Sequence, residues 1–448
     1  MNTPVPTALH TSPPGLDEWL AGLDPLARPA LRALGTLLSG AAAAPKSETE
    51  DQFTARCLGV ADCGQLVEEE RDLSPVGRMT FPLALAEWIG GHPQCVVGPG
   101  EHTNSPMWTQ TEIGDHQYRH PMCLRAYFPA GTLLEETGCV LHVESRAGVL
   151  RSAVVSAFVA PEHQDLARRV LDRLSARAGE LNPFRGRVVR AVYDGGLRLV
   201  AMDLPSSVTR DSVVVPEGVW AEVDLGVVSV RDRFALLNAH GLGSRRGVLL
   251  CGPPGTGTWA VCAAVAREVA GVFTVIYVDP KAGSRLLTEV VEEAQRLGGP
   301  VLLVLEDIDL WCQDRRTGGS ALSELLQAMD IEPDSRILTL ASTNDVSTLD
   351  TAAIRTGRFD AVVEVGYPGL GDAARILAMF VRGLPGADGV DVDAVAAALP
   401  DQTSGSDLRE IVRRAVLAGA EAGISTRGLL DEVSSRRYQG QAPAGLYL

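Results

Sequence analysis

The stretch Gly247-Val-Leu-Leu-Cys-Gly-Pro-Pro-Gly-Thr-Gly-Thr-Trp-Ala-Val-Cys-Ala-Ala-Val-Ala266 decides the fold of this protein. It opens with a short apolar run, turns through the glycine- and proline-rich segment GPPGTG (252–257), and continues in a helix-forming run of Ala and Val. Strand, glycine-rich turn and helix in that order form the context of a phosphate-cradling loop. Glycines let backbone N–H groups converge on phosphate oxygens, and the helix presents its N-terminus to the anion. A tight turn has the same composition, so the neighbouring sequence has to decide. The runs GVLLC (247–251), VFTVIYV (272–278), VLLVLE (301–306), RILTLAS (336–342) and AVVEVGY (361–367) are short, nearly all apolar, and separated by helical stretches. That is how a parallel sheet reads when helices cover both of its faces.

On either side of this module the pattern changes. Residues 1–50 are rich in Pro and Ala and read as a tail or loosely packed helices. Residues 51–204 read as a smaller α/β or α+β domain, with strands at VLHVES (140–145) and VVSAFVA (154–160), a helix from Glu162 to Ala178, and strands at RVVRAVY (187–193) and LRLVAMD (197–203). The α/β module spans 211–367. Residues 368–438 carry only helical patterns, among them AARILAMFVRGL (373–384), VDAVAAAL (392–399) and SDLREIVRRAVLAG (406–419).

Composition narrows the function classes. With 40 basic against 56 acidic residues the net charge is -16, which repels a phosphate backbone and disfavours nucleic acid as a partner. The start lacks the basic and apolar regions of an export signal, and no long apolar span is present, so a soluble, cytoplasmic protein with no membrane partner is expected. The eight cysteines are scattered and read as reduced structural thiols. His92, Cys95, His102, His116, His120 and Cys123 cluster in sequence and resemble metal-ligand spacing, but without a paired C-x2-C frame they read as ordinary histidines and buried thiols.

Taken together, residues 211–437 resemble the AAA family of ATPases. The resemblance rests on the loop above, on VLLVLEDID (301–309), on LTLASTND (338–345), on Leu349-Asp350 with AIRTGRFD (353–360), and on TSGSDLRE (403–410). It implies that ATP is held by Gly252, Pro253, Pro254, Gly255, Thr256, Gly257, Thr258 and Trp259. Glu306 would hold Mg2+ and Asp307 would polarise the attacking water, with the usual Asp-Glu order reversed. Asn344 would orient that water, and Arg355 and Arg358 would reach the γ-phosphate bound in a neighbouring subunit of a hexameric ring, homo- or hetero-oligomeric.

The sequence also departs from the family. In the pattern G-x-x-x-x-G-K-[ST] the lysine position holds Thr258 and the metal-ligand position holds Trp259. Loss of a charge-assisted hydrogen bond of the lysine kind costs roughly 1.5–3 kcal/mol, and an indole has no oxygen for a hard cation, so Mg2+ is weakly held if at all. Where threading members carry an aromatic pore residue, this chain has Lys281-Ala282-Gly283; Phe273 and Tyr277 nearby read as strand core. Two functions follow: nucleotide-dependent remodelling of a macromolecular partner with impaired hydrolysis, or a pseudo-ATPase scaffold that lends its arginines to an active partner.

Overall fold

The computed structural model describes residues 48–101, 105–145, 153–193, 196–278, 284–309, 334–345, 358–419 and 423–439. The first sheet is built from β1 (Val67–Asp72), β2 (Val96–Gly98), β3 (Met107–Ile113), β4 (His116–Phe128), β5 (Cys139–Glu144) and β6 (Val154–Val159). It is antiparallel in the order β1-β6-β5-β4-β2, and β3 also pairs with β4. Alternate residues of β4 and β5 such as Leu124, Phe128, Leu141 and Val143 face α2 (Gly77–Gly91) and α3 (Gln164–Glu180), burying Leu85, Leu171 and Leu174 with them. Phe53 of α1 (Glu50–Leu58) packs with Val140 and Phe158 on the other face.

The second sheet contains β7 (Val188–Tyr193), β8 (Leu197–Ala201), β9 (Arg246–Cys251), β10 (Thr274–Val278), β11 (Val301–Leu305), β12 (Ile337–Thr343) and β13 (Ala361–Glu364). Their order is β13-β9-β12-β11-β10-β7-β8, all parallel except for β8. The five apolar runs of the sequence are β9 to β13. Every residue of β10, β11 and β12 is buried, because α4 (Glu217–Asp232) and α6 (Thr258–Val269) cover one face while α7 (Ser284–Arg296) covers the other. The short α5 (Phe234–Ala239) follows α4. Helices α8 (Leu370–Val381), α9 (Val392–Ala397), α10 (Gly405–Gly419) and α11 (Thr426–Ser435) then form a lid with its own core of Leu377, Val395, Leu408, Ile411 and Leu429.

The strands expected at 187–193 and 197–203 exist, but a boundary at 204 cuts across the second sheet. Val189 and Ala191 of β7 are fully buried in one core with Ile276 and Leu303, and β7 runs in parallel with β10. A strand's alternation announces the strand, whereas its partner 80-odd residues away is set by tertiary packing. The two sheets are also joined: Val76, Met79 and Ile113 enter that same core, and the Ser74 hydroxyl donates to Glu293 Oε1 at 2.8 Å. Among the described residues no helix is long and apolar enough to cross a membrane.

Candidate functional site

Because β9 lies beside β12, and β12 beside β11, the loop after β9 and the ends of β11 and β12 meet at one edge of the sheet. Ligands of open α/β sheets bind outside the carboxyl ends of the strands. The loop is anchored there by the Gly252 N–H, which donates to the Thr343 carbonyl at 3.2 Å. Its glycines are required by position. A Cβ on Gly252 would lie 2.1 Å from the Val365 carbonyl oxygen, and one on Gly255 (φ 83°) 2.0 Å from Ser406 Oγ. Thr256 turns inward, donating from Oγ1 to the Pro253 carbonyl at 2.9 Å. Pro253 and Pro254 have no N–H, so the donors lie in the Gly255–Gly257 half of the loop. Gly257, at φ 112°, is the N-cap of α6 and has no side chain to occupy that helix's first N–H groups, which stay open to an anion.

The first turn of α6 carries the departure. Thr258 is half-buried, and its hydroxyl makes no hydrogen bond among the described residues. Trp259 is 46% exposed. Both line a cleft of about 230 Å³, walled also by Val213 and Val214 ahead of α4, by Met379 and Phe380 of α8, and by Ser406 and Arg409 of α10. The lid is tied to the loop directly, since the Ser406 N–H donates to the Gly255 carbonyl at 3.1 Å. Ser404 and Asp407 hold the start of α10 reciprocally: the Ser404 N–H and hydroxyl donate to Asp407 Oδ2 at 2.8 and 2.7 Å, and the Asp407 N–H donates to Ser404 Oγ at 3.2 Å.

At the sheet edge, Glu306 and Asp307 follow β11 and Asn344 follows β12, so the structure brings together residues that the sequence separates by 35 and more positions. Asn344 Nδ2 donates to Asp307 Oδ1 at 3.1 Å, and the Asp307 N–H donates to Ser342 Oγ at 3.1 Å. Asp307 holds a left-handed φ of 49°, uncommon for a residue with a side chain. Burial pushes the Cys262 thiol of α6 up, and the Glu306 carboxylate adds to the shift, which locates that carboxylate against the helix behind the loop. Asp309 is a functional residue that the sequence pattern does not single out. It is only 6% exposed and accepts from Thr343 Oγ1 and from the Asn344 N–H, both at 3.2 Å. It fixes the turn that carries Asn344. The run EDID announces it only as a third carboxylate; its inward direction needs the fold. Nor does the TSGSDLRE segment single out Arg409.

Magnesium fits this edge poorly. It demands oxygen ligands in near-octahedral geometry, and the side chain beside the phosphate cradle is the Trp259 indole. Of the upstream His/Cys cluster, His116 and His120 lie on strand β4 and not in a loop, and Cys123, an odd number of residues on, is buried. His120 is bonded to Thr111 Oγ1 (3.1 Å) and His116 to Arg187 (3.2 Å). His92 contacts the Trp88 carbonyl and packs edge-on to Phe128, and Cys95 is half-buried. His102, Arg355 and the segment Lys281-Ala282-Gly283 lie outside the described residues. Arg358 is 8% exposed, held in its own chain just ahead of β13, and Phe273 and Tyr277 belong to the core.

Residues 248–367 match the family of ATPases associated with various cellular activities (AAA). The chain carries an AAA domain. Similar curated proteins include the ATP-dependent zinc metalloprotease FtsH 4 of Sphaerobacter thermophilus, 30% identical over 308 residues that cover 64% of this chain and 44% of that protein. The ATP-dependent zinc metalloprotease FtsH of Acidothermus cellulolyticus is 36% identical over 226 residues, 46% of this chain and 33% of its own length. That of Acidimicrobium ferrooxidans is 33% identical over 248 residues, 51% and 36% respectively. The chain thus spans less than half the length of these relatives. Domains of the AAA family bind ATP, and the cleft above is where the matched region places its glycine loop.

Proposed function

We propose that this chain binds a nucleoside phosphate through the backbone of Gly255–Gly257 and hydrolyses ATP negligibly by itself, acting within a ring, hexameric as in the family, on a macromolecular partner in the cytoplasm. The observation that carries the reading is the first turn of α6, where Thr258 and Trp259 line the cleft at the places where lysine and a hydroxyl ligand would stand. Transition-state charge in phosphoryl transfer is stabilised by lysine, metal and arginine finger acting together. Here the first is absent and the second lacks its hydroxyl ligand. The cradle and the Asp307–Asn344 pair nonetheless persist, which supports a bound, slowly reacting nucleotide.

A second reading, the pseudo-ATPase scaffold, differs in what the ring gains: this subunit would supply Arg355 to an active neighbour. Of the two arginines that the resemblance assigns to that role, Arg358 is buried in its own chain, so the reading rests on Arg355. Steady-state ATP turnover by the purified chain, with sedimentation in the presence of nucleotide, tests both. Turnover far below 1 s⁻¹ and an oligomer are expected. Turnover at roughly 1 s⁻¹ or faster, within the ordinary enzyme range and abolished by Asp307→Asn, would overturn the proposal, and a strictly monomeric chain would remove the ring.

A further inference from the structure

Among the described residues, the cleft has one charged side chain on its wall. Of the side chains that line it, from Ser212–Val214, the loop and first turn 255–260, helix α8 and the start of α10, only Arg409 is ionised. None of the described residues that line the cleft carries a carboxylate. Arg409 is solvent-exposed, its guanidinium carbon sits 5.4 Å from the centre of the Phe380 ring, and it makes no ion pair among the described residues. Its neighbours on the same helix are committed: Arg413 to Glu410 at 3.3 Å, and Arg414 to Glu432 at 3.1 Å. An arginine with no ion pair among the described residues therefore opens on the space that also receives the uncapped N-terminus of α6.

We infer that this cleft takes its nucleoside phosphate without a divalent cation, with Arg409 of the lid supplying the positive charge that residue 258 does not. This deepens the function proposed above and rests on it. A guanidinium stays charged at any working pH and offers planar, paired donors to phosphate oxygens. The Phe380 face supports the guanidinium from one side without consuming its hydrogen-bond donors. Trp259, in turn, fills the place of a metal ligand with a ring that can stack or pack but cannot coordinate. The lid is bonded to the glycine loop through Ser406 and Gly255, so an anion held by both Arg409 and the loop also ties the lid down.

The test is calorimetric titration of the full chain with ADP, once with magnesium chloride and once with EDTA, using the wild type, Arg409→Gln and Arg409→Lys. Glutamine keeps length and helix propensity, so loss of the charge is separated from loss of the fold, and thermal melts of the variants check the latter. The wild type is expected to bind equally in the two buffers within about twofold. Arg409→Gln is expected to weaken binding at least tenfold, about 1.4 kcal/mol, and Arg409→Lys to recover most of it. Binding that weakens tenfold or more in EDTA overturns the metal-free site, and Arg409→Gln binding like the wild type overturns the role of the arginine. In both cases nucleotide binding itself survives, and with it the proposed function. No binding by the wild type in either buffer defeats both.

Discussion

The two sides of the cleft differ in what they retain. At the sheet edge a connected set of side chains persists: Asp309 holds Thr343 and the Asn344 N–H, Asn344 reaches Asp307, and Ser342 accepts from the Asp307 N–H. On the helix side the backbone is in place but the side chains are not, with a threonine hydroxyl bonded to nothing described and a half-exposed tryptophan. Holding a phosphate needs chiefly converging N–H groups and a helix N-terminus, whereas accelerating its transfer needs charge placed at the transition state. A chain can therefore lose the second and keep the first.

Gly255→Val attacks the retained half and is expected to have the largest effect. The new side chain would need a positive φ and would meet Ser406 Oγ, so ADP affinity should fall by about 100-fold or more, roughly 2.7 kcal/mol. Unchanged ADP titration would show that the cradle is not the binding element. Next in size comes Asp309→Ala, which removes the buried acceptor of the Asn344 N–H while the Thr343 hydroxyl keeps the Asp345 carbonyl, and should cost about 2 kcal/mol in urea denaturation. Thr258→Ala should stay within about 0.5 kcal/mol. Equal losses for the two would erase the contrast between the two sides.

The smallest effect concerns a buried carboxyl outside such a network. Burial pushes Glu293 above its ordinary value of 4.5, with Ser74 and Arg296 pulling the other way. From pH 4.5 up to the raised value the folded chain keeps a proton that the unfolded chain has released, so this group's contribution to stability falls as pH rises through that window. Glu293→Gln retains an acceptor for Ser74 and removes the titration. Its stability relative to the wild type should grow from pH 4.5 upward; a difference that stays flat across pH 4 to 8 would contradict the reading.

Much of the AAA domain was legible because its strands are buried on both faces and so appear as unbroken apolar runs, with the glycine loop and the carboxylate pair at their ends. The first sheet was harder to read. Its strand β4 runs thirteen residues through HQYRHPMCLRAYF, where polar residues on one side and apolar ones on the other obscure the alternation and invited a metal-ligand comparison. Strands β1 to β4 and helices α1 and α2 went unnamed for that reason. The partnership of β7 with β10 was illegible locally, as was the inward turn of Asp309, since both depend on contacts made far along the chain. Arg409 stood in a quoted motif, yet nothing in its neighbours indicates that it alone faces the cleft while Arg413 and Arg414 are paired.

The central claim is that turnover is limited by residues 258 and 259 and not by the sheet edge. ATP hydrolysis by the wild type should be compared with that of Thr258→Lys combined with Trp259→Thr, in magnesium, with Asp307→Asn added to both as the blank. The account predicts a rise of at least tenfold, about 1.4 kcal/mol of barrier, that Asp307→Asn abolishes. A double variant that binds ATP yet hydrolyses it no faster than the wild type would contradict it.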